Sequence, residues 1–505
     1  MPRRWPLDLK PGAHTERLAT TAVGVPDPAR KEIAEIVGAE RVSSDDDVLV
    51  DSARDWWPLS GVWAAQGRVV HRPAAVVTPT TTEEVAGVLS VASHHGIPVT
   101  PAAGRSGVGG GAVPVCGGIV LDCTGLDRTG LDTAIDVDET SMLVTTGPGV
   151  FGDVFEAALR EKGYTLGHWP QSIDISTVGG WLACRGAGQF STRYGKIEDM
   201  VAGLEVVLAS GRTLRTGGAP RAAVGPDLNQ VFVGSEGAFG VITEATLRIH
   251  PAPKTEQREA WTLPSFEDGL DACRRILRRG ATPAVLRLYD SHESRQTYDV
   301  DGCVLLALDE GDAAIVSASM AIAAEECDRT DGAAGADPAL VEQWLGHRND
   351  VSALGAAIEA GVVVDTVEVS GNWSDLPRIY SDVLAAVGGV EGTVVVSAHC
   401  SHSYTDGGCL YFTFAGMVGD DPDDKDHYYV AAFNGAVEAA RGAGAAISHH
   451  HGVGINRAPF VRDALGPDAF DVLVGLKNTL DPAGILNPGA LGLPSPFLPD
   501  GWTWS

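Results

Sequence analysis

Hydrophobic residues occur in runs and periodic groups that divide the chain into two parts of different character. In the first part, apolar runs at residues 74–78 and 97–101 predict two strands on either side of a helix from Thr80 to His95. Thr80 and Glu83 have the spacing of a capping box, in which each side chain bonds the other residue's backbone N–H at a helix start. The pattern therefore predicts a β-α-β unit. Further along, it predicts strands at 119–122, 142–146 and 201–209 and a helix at 151–162.

Beyond Pro253 the order of the elements changes. Helices are predicted at 266–279, 313–327, 374–387 and 428–443, and strands at 284–290, 303–308, 362–369, 393–398 and 409–415. Runs of the form α-β-β-α and β-α-β-β favour an antiparallel sheet with helices on one face. The acidic segment 328–340, which is rich in glycine and alanine, is predicted to be a surface loop.

A chain of 505 residues is too long for one ordinary hydrophobic core, so two or more domains are expected. We expect an N-terminal extension, a first domain, a second domain that covers it, and a C-terminal segment that packs back on the first domain. Their predicted bounds are 1–64, 65–253, 254–455 and 456–505.

One stretch, residues 170–199, combines small residues and hydroxyls before a predicted helix. Asp174, Ser176 and Thr177 offer side-chain hydrogen bonds near the helix start. Gly179 and Gly180 have no Cβ, so a large polar ligand can approach the backbone closely. The stretch is therefore predicted to cradle a cofactor.

A second glycine-rich loop, residues 101–112, has the composition of a phosphate-binding loop. Gly107, Gly109 and Ala112 formally match a dinucleotide-binding fingerprint, but that motif needs a helix directly afterwards. A strand at 119–122 follows instead, so a Rossmann fold is not expected. Glycines at 234, 237 and 240 form a third segment of this kind before a strand.

Composition and charge exclude several classes of protein. A net charge of -29 argues against a nucleic-acid groove or an anionic membrane surface, because both need clustered Lys and Arg. None of the eight cysteines forms a C-x-x-C pair, and no apolar run is long enough to cross a membrane. We expect a cytoplasmic protein whose partner is a small-molecule substrate, with a homodimer as the candidate assembly.

Five motifs in a fixed order make the chain resemble the vanillyl-alcohol-oxidase superfamily of FAD enzymes, whose FAD domain is of the p-cresol-methylhydroxylase type. They are 101–112, 176–180, 194–199, 234–244 and 481–489. Within it, the chain is most similar to the alkyl-dihydroxyacetone-phosphate synthase branch. The residues that carry this similarity are 176–181, 225–227, 287–290, 408–412 and 448–454.

The resemblance implies an α+β fold, with a two-lobed FAD-binding domain and a cap domain built on an antiparallel, ferredoxin-like sheet. It also implies which residues meet FAD. These are Pro101, Ala102, Ala103, Gly104, Arg105, Ser106, Gly107, Pro170, Asp174, Ser176, Thr177, Gly179, Gly180, Ala183, Arg185, Gly186, Glu236, Gly237, Gly240, Val241 and Ile242. No histidine lies at 104–108, where many relatives attach flavin covalently, so FAD is expected to dissociate.

By the same resemblance, Tyr411 is the catalytic tyrosine, Arg287 binds the substrate anion, and His449, His450 and His451 form an essential loop. Each of these residues also has an interpretation that involves no catalysis. Periodicity alone would make Tyr411 a core residue, and Arg287 could pair with Asp290. The histidines could bind a metal, but neighbours in an extended segment point in alternate directions, so no metal is expected.

Three functions follow from the resemblance. The first is an FAD-dependent oxidoreductase that acts through flavin N5 on a hydroxy acid or alcohol with a carboxylate or phosphate. The second is an alkylglycerone-phosphate synthase, an ether-lipid transferase that binds its substrate to flavin N5 without net redox change. The third is a flavin-binding protein without activity, against which Tyr411, Arg287 and the histidines argue.

Overall fold

A computed structural model of the protein describes residues 15–16, 22–126, 135–350, 352–419 and 421–499. The remaining parts of the expected N-terminal extension and C-terminal segment lie outside these residues. We use the name N-terminal lobe for residues up to 253 and the name cap for residues 254–455.

The N-terminal lobe contains short strands and short helices. Its strands are β1 (Thr15–Glu16), β2 (Val42–Ser43), β3 (Arg68–Val69), β4 (Ala75–Val77), β5 (Val99–Ala102), β6 (Ile119–Asp122), β7 (Ile135–Asp138), β8 (Leu143–Thr146), β9 (Tyr164–Thr165), β10 (Val201–Val207), β11 (Thr213–Arg215), β12 (Val241–Arg248) and β13 (His250–Pro251). Its helices are α1 (Asp27–Val37), α2 (Asp46–Asp51), α3 (Pro58–Ala65), α4 (Thr82–His95), α5 (Gly152–Glu161), α6 (Val178–Cys184), α7 (Ser191–Tyr194), α8 (Ile197–Met200) and α9 (Asn229–Phe232).

Two sheets organise this lobe. One has the order β2-β4-β6-β5, with β4, β6 and β5 parallel. The other has the order β11-β10-β12-β8-β7 and is antiparallel. The glycine-rich loop after β5 leads into β6 without a helix, which is why a Rossmann arrangement does not form.

The cap is built on one antiparallel sheet with the order β17-β14-β16-β15-β19-β20-β18. Its strands are β14 (Thr255–Leu263), β15 (Val285–Tyr289), β16 (Cys303–Gly311), β17 (Ala334–Ala336), β18 (Val363–Asn372), β19 (Thr393–Ser403) and β20 (Gly407–Gly416). Its helices are α10 (Phe266–Arg278), α11 (Ser291–Tyr298), α12 (Ala313–Asp328), α13 (Ala339–His347), α14 (Ser352–Glu359), α15 (Leu376–Gly388) and α16 (Pro422–Gly442). The expected α+β fold with an antiparallel cap sheet is confirmed.

Alternation along β19 and β20 gives the cap sheet two different faces. Ala398, Cys400, Phe412 and Phe414 are almost fully buried in the hydrophobic core beneath α15 and α16. The residues between them point to the opposite face. That face looks toward the N-terminal lobe and carries the functional groups described below.

The C-terminal segment returns to the N-terminal lobe through α17 (Val461–Leu465) and α18 (Pro467–Leu480). Asn487 donates its side-chain amide to the carbonyls of Gly111 and Glu236, and Lys477 donates to the carbonyl of Ala238. These bonds fix the glycine-rich loop and the third glycine segment against each other. No helix among the described residues combines the length and the apolarity needed to cross a membrane.

One helix start differs from the expected one by a single residue. The cap of α4 is Thr81, whose hydroxyl accepts the N–H of Glu84. Thr80 instead bonds the carboxylate of Glu84, which also pairs with Arg41. Because adjacent threonines and adjacent glutamates both have capping-box spacing, the sequence could not distinguish the two registers.

Candidate active site

A cavity of about 1020 Å³ lies between the N-terminal lobe and the cap. Ligand sites usually occupy about 300–1,000 Å³, so this cavity has room for a large cofactor together with a substrate. Its N-terminal wall consists mainly of glycine-rich segments, and its cap wall consists of the polar face of the sheet with α11, α13 and α14.

Most of the expected cofactor residues line this cavity. They are Pro101, Ala102, Ala103, Gly104, Arg105, Ser106, Gly107, Pro170, Ser176, Thr177, Gly179, Gly180, Ala183, Gly186, Glu236, Gly237, Gly240, Val241 and Ile242. Tyr411, Arg287, His450 and His451 line it from the cap side.

Three expected site residues do not line the cavity. Asp174 is exposed in the turn before α6 and does not cap that helix. The side chain of Arg185 is exposed and bonds Glu198 and Gln230. His449 lies behind the cavity wall, where its Nε2 is 3.0 Å from the hydroxyl of Tyr404.

In the predicted cofactor cradle, the backbones of the two glycine-rich stretches 101–112 and 170–199 lie in close contact. A Cβ on Gly104 would lie 2.3 Å from the carbonyl oxygen of Ile175, so the two glycine-rich stretches touch at a position that only glycine allows. Thr177 caps α6 by accepting the N–H of Gly180 at 3.3 Å. At Gly180, an added Cβ would meet only the hydroxyl of Thr177, at 3.4 Å. Backbone and hydroxyl groups can thus approach a ligand along this wall.

Two charged residues of this wall are already paired within the protein. Arg105 pairs with the carboxylate of Asp51 through Nη2 and donates to its carbonyl through Nη1. Glu236 accepts the N–H groups of Val453 and Gly454. It so ties residues 448–454, which we call the histidine loop, to the N-terminal lobe. Burial raises the pKa of Glu236 to about 7, although these two backbone donors favour its ionised form.

Tyr411 lies among aromatic rings on the cavity face of β20. The ring of His399 stacks on it at 4.9 Å with an interplanar angle of 17°. The rings of His450 and His451 lie 6.0 Å and 5.5 Å away. Burial raises the pKa of Tyr411 even though Thr366 donates a hydrogen bond to the ionised form. The phenol is therefore neutral at physiological pH and can donate a hydrogen bond.

Arg287 lies on β15 and faces the same cavity. Its Nε donates to the hydroxyl of Tyr289 at 2.7 Å, and its Nη2 bonds Nε2 of His399. Burial favours a neutral guanidine, but Tyr289 and Glu293 outweigh it and hold the pKa of Arg287 above its usual value. The group is thus charged.

The alternative partner of Arg287, Asp290, is engaged elsewhere. It caps α11 by accepting the N–H of Glu293, and it also accepts the N–H of Ala398. Glu293 reaches Arg287 only through His399, whose Nδ1 it contacts at 3.0 Å. Among the described residues, no carboxylate therefore lies within ion-pair distance of Arg287.

Glu368 organises the histidine loop. Its side chain is fully buried on β18, directly across the sheet from Tyr411. It accepts the N–H groups of His449 and His451 at 2.8 and 2.6 Å and the hydroxyl of Ser448 at 2.8 Å. Burial alone would raise the pKa of Glu368, but Arg457, His451 and these donors hold it below its usual value.

The histidines of the loop are neutral. Burial lowers the pKa of His451 to about 4, against the opposing charge of Glu368. Burial also lowers the pKa of His450 and His449 well below the usual value. A neutral imidazole at the cavity wall can accept a proton, so His450 and His451 are candidate bases next to Tyr411.

His402, Cys409, His449 and His450 bring side chains that can bind Zn²⁺ within 4.8 Å of one another. Hydrogen bonds already occupy both ring nitrogens of His449, since its Nδ1 lies 2.9 Å from Nδ1 of His450 and its Nε2 bonds Tyr404. Hydrogen bonds within the protein thus explain the position of His449 in this cluster without a metal ion. The expectation that the chain holds no metal stays a prediction.

Sequence reasoning missed Glu368, Glu293 and the contact between His399 and Arg287. A carboxylate between Val367 and Val369 fits the alternation of a strand with one polar face, so nothing in the sequence marks Glu368 as a buried group with a partner in the protein. That partner is formed by residues 448–451, about eighty positions further along the chain.

Two family models match most of the chain. The FAD binding domain model matches residues 73–217. The model for the C-terminal domain of FAD linked oxidases matches residues 252–491. The glycine cradle and the size of the cavity fit this cofactor.

Similar proteins are enzymes of this kind. The uncharacterized FAD-linked oxidoreductase YgcU of Escherichia coli (strain K12) is 36% identical over 479 residues, which are 91% of this chain and 97% of that protein. The alkyldihydroxyacetonephosphate synthase of Trypanosoma brucei brucei is 29% identical, over 88% of this chain and 76% of that one. The glycolate oxidase subunit GlcD of Bacillus subtilis (strain 168) is 28% identical, over 83% and 89%.

Solved structures share the fold. An alkyldihydroxyacetonephosphate synthase superposes with a TM-score of 0.76 at 22% identity, covering 96% of this chain and 90% of that one. A p-cresol methylhydroxylase with substrate bound superposes with a TM-score of 0.73 at 19% identity, covering 94% and 99%. The chain is therefore an FAD-binding enzyme of the FAD-linked oxidoreductase family, within the vanillyl-alcohol-oxidase superfamily and related to the alkyldihydroxyacetonephosphate synthases.

Proposed function

We propose that the protein is an oxidoreductase that removes hydrogen from an alcohol or hydroxy acid carrying a carboxylate or phosphate. The observation that carries this proposal is Arg287. It is a charged guanidinium in the cavity wall, held by a phenol and an imidazole, and no carboxylate of the described residues lies at ion-pair distance from it. A partly buried cation without an ion-pair partner is stabilised by an anionic ligand.

The expected cofactor residues that line the cavity are proposed to hold FAD along the N-terminal wall. Gly107 and Gly180 leave space beside the backbone for the pyrophosphate, Gly104 and Gly179 let segments of the cradle touch each other, and Ser176 and Thr177 fix the turn before α6. Glu236 to Ile242 close the wall. When bound, FAD accepts the two electrons and the hydrogen that leave the substrate carbon.

The cap residues are proposed to bind the substrate and remove its proton. Arg287 holds the anionic group. A neutral imidazole of His450 or His451 accepts the hydroxyl proton of the substrate, because burial keeps both rings unprotonated at neutral pH. Tyr411, a neutral phenol bonded to Thr366, donates a hydrogen bond that orients the substrate oxygen.

A redox-neutral transferase is the second candidate, and the shape of the cavity favours it. From Tyr411 the cavity extends along β20 past Thr413 to Ala415, a distance of about 13 Å at the rise of a strand. Apolar side chains line this arm, namely Leu354, Ala357, Val364 and Val395. An arm of this kind can hold an alkyl chain, which a small hydroxy acid does not need.

Anaerobic spectroscopy of the holoenzyme separates the two candidates. Hydroxy acids, alcohols and acyl-dihydroxyacetone phosphate are added singly without oxygen, and the flavin absorbance is followed. Bleaching by an anionic alcohol or hydroxy acid supports the oxidoreductase. If only acyl-dihydroxyacetone phosphate changes the spectrum, the oxidoreductase proposal is wrong and the transferase stands.

We also propose that the protein works in the cytoplasm. The eight cysteines are free thiols, and all but Cys184 are buried. Free thiols persist in a reducing compartment. A disulfide in the purified native protein would contradict this assignment.

A further inference from the structure

A second unpaired guanidinium lies in the cavity wall close to Arg287. Arg348 follows α13 in the cap and is half-buried. Its Nη1 donates a long hydrogen bond of 3.4 Å to the side-chain oxygen of Gln189, which is its only polar side-chain partner among the described residues. No carboxylate of the described chain lies within ion-pair distance of it.

Aromatic rings surround Arg348 instead of anions. Its guanidinium carbon lies 5.0 Å from the ring of Phe190, 5.5 Å from that of Trp169 and 5.6 Å from that of Trp344. Aromatic faces stabilise a cation only in part and leave its N–H donors unsatisfied. Burial lowers the pKa of Arg348, and it outweighs the opposing charges of Glu310 and Glu256, neither of which forms an ion pair with the guanidinium.

Trp344 lies next to both arginines. The guanidinium carbon of Arg287 is 5.8 Å from its ring, and that of Arg348 is 5.6 Å from it. All three residues line the cavity, so both arginines lie beside the same indole ring in one ligand space.

We propose that Arg348 forms a second anion subsite beside Arg287, and that the substrate carries a doubly charged end, either a phosphate dianion or two carboxylates. This inference rests on the proposed function, because it assumes that Arg287 binds the first anionic charge. A substrate with one carboxylate would leave Arg348 unpaired. A doubly charged one would satisfy both guanidinium groups.

The holoenzyme is titrated with acetate, malonate and inorganic phosphate, and the shift of the flavin absorbance reports binding. Acetate carries one charge, malonate carries two carboxylates, and phosphate at pH 8 is mainly a dianion. The native protein is expected to bind malonate or phosphate at least tenfold more tightly than acetate, and the tighter of the two identifies the doubly charged group. Equal affinity for all three probes would overturn the inference.

Arg348→Met and Arg348→Gln remove the charge and keep an unbranched side chain, although a shorter one. Both variants are expected to lose at least tenfold in affinity for the preferred dianion and less than threefold for acetate. Arg462→Met is the matched control, since Arg462 lies 5.7 Å from the ring of Phe470 and does not line the cavity. It is expected to bind every probe like the native protein.

Unchanged dianion affinity in both Arg348 variants would overturn the inference. Loss of FAD from both variants would also overturn it, because Arg348 would then be a structural link between cap and N-terminal lobe. Arg287→Met separates this outcome from failure of the proposed function. This variant is expected to bind acetate more weakly as well. Unchanged acetate binding in Arg287→Met would contradict the role of Arg287, whatever the result for the Arg348 variants.

Discussion

What each side chain in this cavity can do depends on whether it is charged or neutral when it is buried. Arg287 stays protonated because Tyr289 and Glu293 favour its cation. His451 stays neutral because burial outweighs Glu368. The cavity thus combines a fixed cation with a neutral proton acceptor, which is the pairing that oxidation of an anionic alcohol requires.

Tyr411→Phe tests the hydroxyl at the centre of this group. The variant should retain FAD, because Tyr411 lies on the cap face, but turnover should fall by about 100-fold or more, as expected for loss of the hydrogen bond that orients the substrate oxygen. Steady-state kinetics and flavin content check both points. Tyr428→Phe is the control, since its hydroxyl bonds Thr393 and it does not line the cavity. Full activity in Tyr411→Phe would show that the phenol is dispensable.

Asp365→Asn tests a buried carboxyl in the cavity wall. Burial raises the pKa of Asp365 to about 7, although the hydroxyl of Tyr429 favours the ionised form. The carboxyl has a pKa of about 4 in the unfolded state and a higher one in the folded state. The folded state therefore has its full stability below about pH 4, and this stability is lost as the pH rises through about 7. The native protein should therefore lose up to about 4 kcal/mol relative to Asp365→Asn between pH 4 and pH 8. Unfolding temperatures across this range measure it, and a constant difference would refute it.

At the scale of elements, the site depends on loops that touch through glycine. Gly104→Ala should place a methyl group 2.3 Å from the carbonyl of Ile175 and force the cradle apart. FAD affinity is expected to fall at least tenfold, which titration of the apoprotein measures. Gly435→Ala is the control, because Gly435 lies within α16 and a Cβ there meets nothing within 4 Å. Equal FAD affinity in Gly104→Ala and the native protein would contradict the cradle.

The order of the elements could be predicted because local patterns determine it. Apolar periodicity located β15, β16, β19 and β20, and the glycine-rich motifs identified the loops that meet at the cavity. β14 was missed, because exposed charged residues occupy much of its first half and hide the period of a strand.

The direction of individual side chains could not be predicted, because it depends on contacts between distant segments. Three neighbouring histidines look equivalent in the sequence. Glu368 holds their backbone so that His450 and His451 line the cavity while His449 turns toward Tyr404. Asp174 has a suitable residue type, but the turn before α6 directs it to solvent.

At the scale of the whole molecule, the cavity exists only because the cap covers the N-terminal lobe. The N-terminal extension strengthens this arrangement. Trp57 donates its indole N–H to the hydroxyl of Tyr429, and Trp63 donates to Asp426, both on α16 of the cap. This arrangement agrees with the proposal that the cap binds the substrate and the lobe beneath it binds the cofactor.

FAD is expected to be bound without a covalent bond, because residues 104–108 contain no histidine. Denaturing the holoenzyme with acid should release the flavin into the supernatant and leave a colourless pellet. Absorbance of the two fractions measures the outcome. A coloured pellet would show covalent attachment through another residue.

Rates of anaerobic flavin reduction by matched pairs of compounds test the central claim most directly. Glycolate is compared with ethylene glycol, and glycerol 3-phosphate with glycerol, in the native holoenzyme and in Arg287→Met. We expect at least one anionic compound to reduce the flavin at least 100-fold faster than its uncharged partner, and Arg287→Met to abolish that preference. Equal rates for charged and uncharged partners, or a preference that survives in Arg287→Met, would contradict the account.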